Sequence, residues 1–342
     1  MNTFGTLFRL TTFGESHGPA MGAVIDGCPS GVPLTTAQVQ AALDRRKPGT
    51  SALVTARKEP DQVELLSGVF QDKTLGTPIG ALVRNTNQRS QDYATLATED
   101  RPGHADAVWR ERFQHRDPRG GGRTSGRETL CRVIGGAVAE ALLARDVPKL
   151  SLVAWVSQVG PVVAGPVTPT RAQVDAHPTR CPVAAAAAEM ERRILEAKAA
   201  GDSLGGSIDL RVDGVPVGWG EPVFGKLKAT LAQALASIGA VTGVTWGLPG
   251  GMKDLERSGL DFHRAPATGA SAVYGGIQGG LSNGEPLELR VFFKPPATLA
   301  QHAKEGRHDP CILPRAVPVV EAMAALVLAD AHLLQCARPH QA

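Results

Sequence analysis

The spacing of apolar residues shifts repeatedly between a period of two and a period of three to four, and the shifts mark the elements. Leu7 to Thr12 and Met21 to Ile25 read as strands joined by a short loop, Phe13 to Ala20. Val63 to Phe70 and Pro78 to Val83 read as two more. Thr35 or Thr36 can cap a helix running to about Arg46, where Pro48-Gly49 stops it. Leu130, Val133, Ile134, Ala137, Val138 and Ala141 recur at helical spacing between Arg127 and Leu143. Leu150 to Val159 is a strand, Val183 to Ala200 an Ala-rich helix ended by Gly201, and Ser207 to Val212 an alternating strand. Lys226 to Ile238 is helical and Leu287 to Lys294 is a strand. Pro318 suits the first turn of a final helix that carries Val320, Met323, Leu326 and Leu333. Helices and strands alternate irregularly, and several strand pairs have short connections. This favours an α+β fold, with helices packed against mainly antiparallel sheets, over a doubly wound parallel sheet.

Composition narrows the picture. No Ser/Gly linker and no internal repeat divides the 342 residues, so 1–342 reads as one domain. Hydrophobic residues make up 42% and aromatic residues 4%, so the core must be built from Ala, Val, Leu and Ile. A net charge of +3 is too weak to imply a nucleic-acid or membrane partner. The five cysteines, Cys28, Cys131, Cys181, Cys311 and Cys336, are widely spaced and form no C-x-x-C pair. That argues against a disulfide framework and a structural zinc site, and for reduced thiols in a cytoplasmic protein. The opening residues lack a basic stretch followed by an apolar one, and no uninterrupted apolar run approaches the roughly 18 residues of a membrane span.

Chemistry concentrates in glycine-rich loops. Gly14-Glu15-Ser16-His17-Gly18 fits the G-x-S-x-G of a hydrolase nucleophile elbow, but Pro19 and a strand follow where the elbow needs a helix. The loop is either a polar hairpin turn or a site in which Ser16 and His17 move protons near neutral pH. Arg101-Pro102-Gly103-His104-Ala105-Asp106 repeats the theme; Asp106 either orients His104 or caps the helix that follows. In Arg116 to Thr129, Arg116, Arg119, Arg123 and Arg127 alternate with Gly120, Gly121, Gly122 and Gly126. Backbone N–H groups freed by glycine, bidentate guanidinium groups and a helix N-terminus near Arg127 suit a phosphate-bearing ligand. An RNA-binding Arg/Gly segment is the rival, though such segments do not usually run straight into a patterned helix. Arg45-Arg46, Arg307-His308-Asp309, Gly275 to Gly280 and Lys294-Pro295-Pro296 complete the candidates.

In this order the motifs resemble the chorismate synthase family along nearly the whole chain. The matching stretches are GESHG, DRRKPGTS at Asp44 to Ser51, NQRSQDY at Asn87 to Tyr93, RPGHAD and RGGGRTSGRET. They continue with GDSLGG at Gly201 to Gly206, GEPVF at Gly220 to Phe224, GGIQGG, and GRHDPC followed by RAVPVVEAM at Gly306 to Met323. The resemblance implies an α+β sandwich, a homotetramer, reduced FMN as cofactor and 5-enolpyruvylshikimate 3-phosphate as substrate. It implies an anti-1,4-elimination that releases phosphate and gives chorismate, with NADPH or an external flavin reductase as the source of electrons. By motif match, His17 protonates the departing phosphate, His104 stands near the flavin, and Asp309 with Ser16 relays a proton. Arg46, Arg101 and Arg127 would contact substrate. Arg123, Thr124, Ser125, Gly239, Ala240, Gly279, Lys294, Pro295, Pro296, Ala297, Thr298 and Arg307 would contact flavin.

The chain also departs from the family. Ala52 stands where many members have arginine, Pro118 replaces a common tyrosine, and Ala272-Val273-Tyr274 lacks the usual asparagine. The stretch between Trp246 and Ser271 lacks the flavin-side pattern, and Lys294 to Arg307 is shortened. These departures admit a second reading, a paralogue with an altered substrate or weaker flavin binding.

Overall fold

Cross-strand rows of small aliphatic residues build two sheets, each with one face turned to the interior. The computed structural model describes residues 1–49, 53, 59–86, 103–115, 117, 120–248, 255–264, 271–297 and 309–338. The first sheet, in the order β1-β2-β3-β7-β4, joins Thr3–Phe4, Arg9–Gly14, Ala20–Asp26, Ile79–Arg84 and Val63–Leu65. Its antiparallel register aligns Leu10, Ile25 and Ile79 in one row, and Thr12, Ala23 and Ala81 in the next. All six are buried, as period-two alternation demands of a half-covered sheet. A side hairpin, β5 (Val69–Phe70) and β6 (Lys73–Thr74), turns through Gln71 and Asp72 at φ 47° and 57°.

The second sheet, β11-β14-β10-β8-β9, joins Val241–Trp246, Leu287–Phe293, Gly206–Asp213, Ser151–Val159 and Val162–Val163. Its rows are Leu289–Leu210–Ala154 and Val291–Ile208–Val156, again buried. Between β11 and β14 lies the small hairpin of β12 (Ile277–Gln278) and β13 (Leu281–Ser282). The helices are α1 (Thr36–Arg46), α2 (Asp106–Phe113), α3 (Thr129–Asp146), α4 (Arg171–Asp175), α5 (Ala184–Ala200), α6 (Leu227–Ala236), α7 (Gly259–Arg264) and α8 (Leu313–Ala337). Helix α3 packs on β2 and β3, α8 packs on β8 and β10, and the two helices pack on each other. The result is an α+β sandwich with paired helices between antiparallel sheets.

Helix α3 carries Gly135 and Gly136 in its centre, which propensity disfavours by roughly 1 kcal/mol each relative to alanine. Packing explains them. A Cβ on Gly135 would lie 2.9 Å from Leu10 Cδ1, and one on Gly136 would lie 2.3 Å from Ala322 Cβ of α8. With few aromatic rings to fill space, the layers close by bringing backbones together. Helix α8 is long and apolar enough to cross a bilayer by composition, yet most of that stretch is buried against α1, α3, α6 and the second sheet. Its buried Glu321 pairs with Arg45 of α1, lies 3.7 Å from Arg171 of α4, and accepts the Ala154 N–H at 3.1 Å.

Three sequence expectations change. The strand read over Val63 to Phe70 is two strands, because Gly68 turns the chain at φ 79°. Pro318 lies inside α8, and Pro314 occupies the first turn; the missing Pro318 N–H removes one ladder bond near the helix start. Strand β11 occupies a stretch that periodicity did not mark. The five cysteines are free, four of them buried, and burial pushes the Cys28 thiol up to about 11 and those of Cys131 and Cys311 to about 12.

Two stability outcomes follow. Gly136→Ala should destabilise by about 1–3 kcal/mol, the range for overpacking, and lower the urea midpoint with the m-value unchanged. Glu321→Ala should cost about 3 kcal/mol or more by leaving buried cations without their acid, and Glu321→Gln should cost less because it keeps an acceptor for Ala154.

Candidate active site

The turn between β2 and β3 closes on glycine. Gly14 has φ 90°, and a Cβ there would lie 2.3 Å from the Ala20 carbonyl oxygen. The turn buries Ser16 and His17, with Ser16 Oγ 2.9 Å from His17 Nδ1. Strand β3 follows directly, so this is no strand–turn–helix elbow. Burial raises the Glu15 carboxyl above the ordinary carboxylate range, against the pull of the Arg123 guanidinium.

The glycine run at 120–122 has a steric cause. A Cβ on Gly120 would meet His17 Nδ1 at 2.4 Å, and one on Gly121 would meet His104 Cε1 at 3.4 Å. One on Gly122 would meet Glu15 Oε2 at 2.7 Å. His17 and Glu15 thus press against one bare backbone, with the Ser125 N–H and the His104 ring in looser contact at Gly121, and the two histidine loops meet there. Asp106 settles its own ambiguity: its buried carboxylate lies 2.9 Å from His104 Nδ1, and α2 has no side-chain cap. A carboxylate at Nδ1 orients the ring and favours the tautomer with its proton on that nitrogen.

The arginines are held by buried acids that sequence reading passed over. Asp61 shares its oxygens between Arg46 Nη1 at 3.1 Å and Arg127 Nη1 at 2.8 Å. Arg127 also pairs with Glu59 and donates Nε–H to Asn85 Oδ1 at 2.6 Å. Asn85 in turn donates to the carbonyls of Glu15 and Gly18, which ties the first histidine loop to Arg127. Arg46 donates to Thr129 Oγ1 at 3.1 Å and to the Gly126 carbonyl at 2.7 Å. Burial, with the charge of Arg315 next, lowers the Arg46 guanidinium to about 10, so it remains a cation at neutral pH. Arg127 Nη2 is buried without a hydrogen-bond partner among the described residues.

A cavity of about 460 Å³ opens beside these groups, within the roughly 300–1,000 Å³ of small-molecule sites. The predicted residues that line it are Arg46, His104, Arg123, Thr124, Ser125, Gly239, Ala240, Lys294, Pro296, Ala297 and Asp309. Arg132, Arg315, Glu128 and Ser237 line it too and were not singled out from the sequence. Five cationic side chains, Arg46, Arg123, Arg132, Lys294 and Arg315, therefore face two carboxylates, Glu128 and Asp309. Arg132 bridges Glu128 Oε2 at 2.8 Å and Ser237 Oγ at 2.6 Å, linking the start of α3 to the turn that holds Gly239 and Ala240. Ala240 sits at φ 71°, unusual for a residue with a Cβ.

Ser16, His17, Arg127 and Pro295 are not among the lining residues; the first three connect to the cavity through the 120–127 turn. Ser16 pairs with His17, and Asp309 with Arg315. Gly279 lies in the β12–β13 turn, whose Gly280 carbonyl accepts from Leu227 at the start of α6, the far end of that helix from Gly239. Arg101, Thr298, Arg307, Ala52 and Pro118 lie outside the described residues. Where the flavin-side pattern was missing, His263 Nδ1 lies 2.6 Å from the Tyr274 hydroxyl, and Phe262 packs edge-on against Tyr274.

Known proteins are similar to this chain along nearly its whole length. The family model described as chorismate synthase matches residues 8–333. A chorismate synthase of Christiangramia forsetii is 47% identical over 350 residues, covering 97% of each chain. One of Opitutus terrae is 46% identical, covering 98% of each. A crystal structure of a chorismate synthase superposes with a TM-score of 0.75 at 29% identity, covering 97% of this chain and 93% of that one. Likeness in sequence and in fold thus runs the length of the molecule, and the chain belongs to the chorismate synthase family.

Proposed function

We propose that the protein catalyses the anti-1,4-elimination of phosphate from 5-enolpyruvylshikimate 3-phosphate to give chorismate, with reduced FMN bound in the cationic cavity. The observation that carries this reading is the cavity itself: five cations against two acids, with the His104–Asp106 pair at its wall. Such a lining fits two anionic molecules, a flavin phosphate and a substrate bearing phosphate and carboxylates. The residues suited to hold FMN are Arg123, Thr124, Ser125, Gly239, Ala240, Lys294, Pro296 and Ala297, which supply guanidinium, hydroxyl, ammonium and backbone groups. When bound, reduced FMN supplies an electron transiently to the substrate, and the reaction has no net redox change.

The chain's own residues then have definable tasks. Arg46, fixed by Asp61, presents charge at the cavity that needs no reorganisation when phosphate leaves, and Arg127 supports it from behind through the same acid. His17, held by Ser16 at Nδ1 and joined to the cavity lining through Gly120, is in this reading the acid for the departing phosphate. Asp106 keeps the His104 ring in one orientation. Asp309, in the cavity wall, takes up a proton in this reading.

The test is an anaerobic assay with purified protein, chemically reduced FMN and 5-enolpyruvylshikimate 3-phosphate. Chorismate and phosphate should appear in equal amounts; no release from folded, FMN-binding protein would point to a paralogue acting on another substrate. His17→Ala should keep FMN affinity while kcat falls by about a hundred- to ten-thousand-fold, and normal turnover in that variant would remove His17 from the mechanism.

A further inference from the structure

Arg315 occupies an unfavourable position. It stands in the first turn of α8, where the helix dipole repels a cation, and its charge is one of the causes that lower the Arg46 guanidinium. Its side chain is largely buried in the cavity wall. What it gains there is specific. Nη1 lies 2.5 Å from Asp309 Oδ2, and Nε donates to the Arg46 carbonyl at 3.4 Å. Asp309 lies before the helix, in a segment pinned at Pro310 by the Leu204 N–H at 2.8 Å. Its backbone is therefore fixed from one side and its carboxylate from the other. A charge-assisted hydrogen bond of this kind selects one rotamer from those a short acidic side chain can adopt.

We propose that Arg315 is a positioning residue that holds the Asp309 carboxylate at the cavity in the orientation from which it takes up its proton. This rests on the role given to Asp309 above. Arg315 acts through Asp309, so the two should behave as one unit in catalysis, where independent residues would multiply their effects.

The experiment is a double-mutant cycle of wild type, Arg315→Met, Asp309→Asn and the double variant, with Arg315→Lys alongside. For each, kcat and KM are measured under anaerobic conditions, FMN affinity by flavin fluorescence, and thermal unfolding without FMN. Arg315→Met should lower kcat by up to about a hundredfold, as misplacement of a reacting group does, a larger loss than the changes in KM and FMN affinity that removing one of five cavity cations brings. Arg315→Lys should recover part of the loss, and Arg315→Met should lower kcat no further in the Asp309→Asn background. Multiplying losses, or unchanged kcat in Arg315→Met, would overturn the proposal. If the wild type itself fails to convert 5-enolpyruvylshikimate 3-phosphate, the functional reading falls separately. The FMN-free unfolding cycle then decides the pair: non-additive midpoints support the positioning contact, and additive ones reject it.

Discussion

Everything in the molecule is arranged around the contact between two parallel helices, α3 and α8. Gly136 meets Ala322 in their middle, and Asp146 meets His332, at 3.0 Å, ten residues further along both. The helices therefore run in the same direction, with Thr129 and Arg315 near their starting ends. A larger side chain at Gly136 would push them apart and carry one sheet away from the other. Because both N-termini open on the cavity, the contact also sets the distance between Gly126–Thr129 and Asp309–Arg315. Two helix starts aimed at one cavity add positive potential to that of the side chains. The packing of the core and the electrostatics of the site are thus one constraint.

The second constraint is the matching of buried charge. Arg46 and Arg127 could not stay charged in the interior without acids, and Asp61 serves both. Glu321 does the same for Arg45, one residue from Arg46 at the end of α1, with Asp175 joining it at 2.8 Å from Arg45 Nε. Neighbouring arginines on one helix end are thereby sent to two different acids. Arg45 ties α1 to α8 and α4 as structure, and Arg46 turns into the cavity wall. A basic helix end that the dipole alone would explain is divided between architecture and the cavity wall.

Much of this was legible in the sequence, and the limits have physical causes. Period-two and helical patterns located β2, β3, α1, α3, α5 and β14 to within a few residues, because each buries a single face. Strand β11 escaped because Thr242, Gly243 and Thr245 break its apolar run. The glycines of 120–122 suggested a phosphate cradle from their type alone, whereas contacts show Gly120 and Gly122 first as clearance for His17 and Glu15. Asp61, Glu59 and Asn85 gave no signal, since an acid that neutralises an arginine 66 residues away leaves no local pattern. Arg315 opens the RAVPVVEAM stretch, but it reads as an ordinary helix residue until its carboxylate partner is placed.

The distribution of the departures bears on whether this chain is a working enzyme or a drifted relative. Tyr274, which falls in a departed stretch, packs with Phe262 and His263 and is absent from the cavity wall. The residues that depend on one another by contact are those that match the family: Gly120 with His17, Gly121 with His104, Asp106 with His104, and Arg46 with Gly126. A chain released from selection for its chemistry would have no reason to keep a bare glycine against the His17 imidazole, since a Cβ there would merely displace the ring. Retaining that clearance costs conformational entropy, and the return for that cost is His17 held in register beside a cationic cavity. The pattern therefore favours retained catalysis over drift.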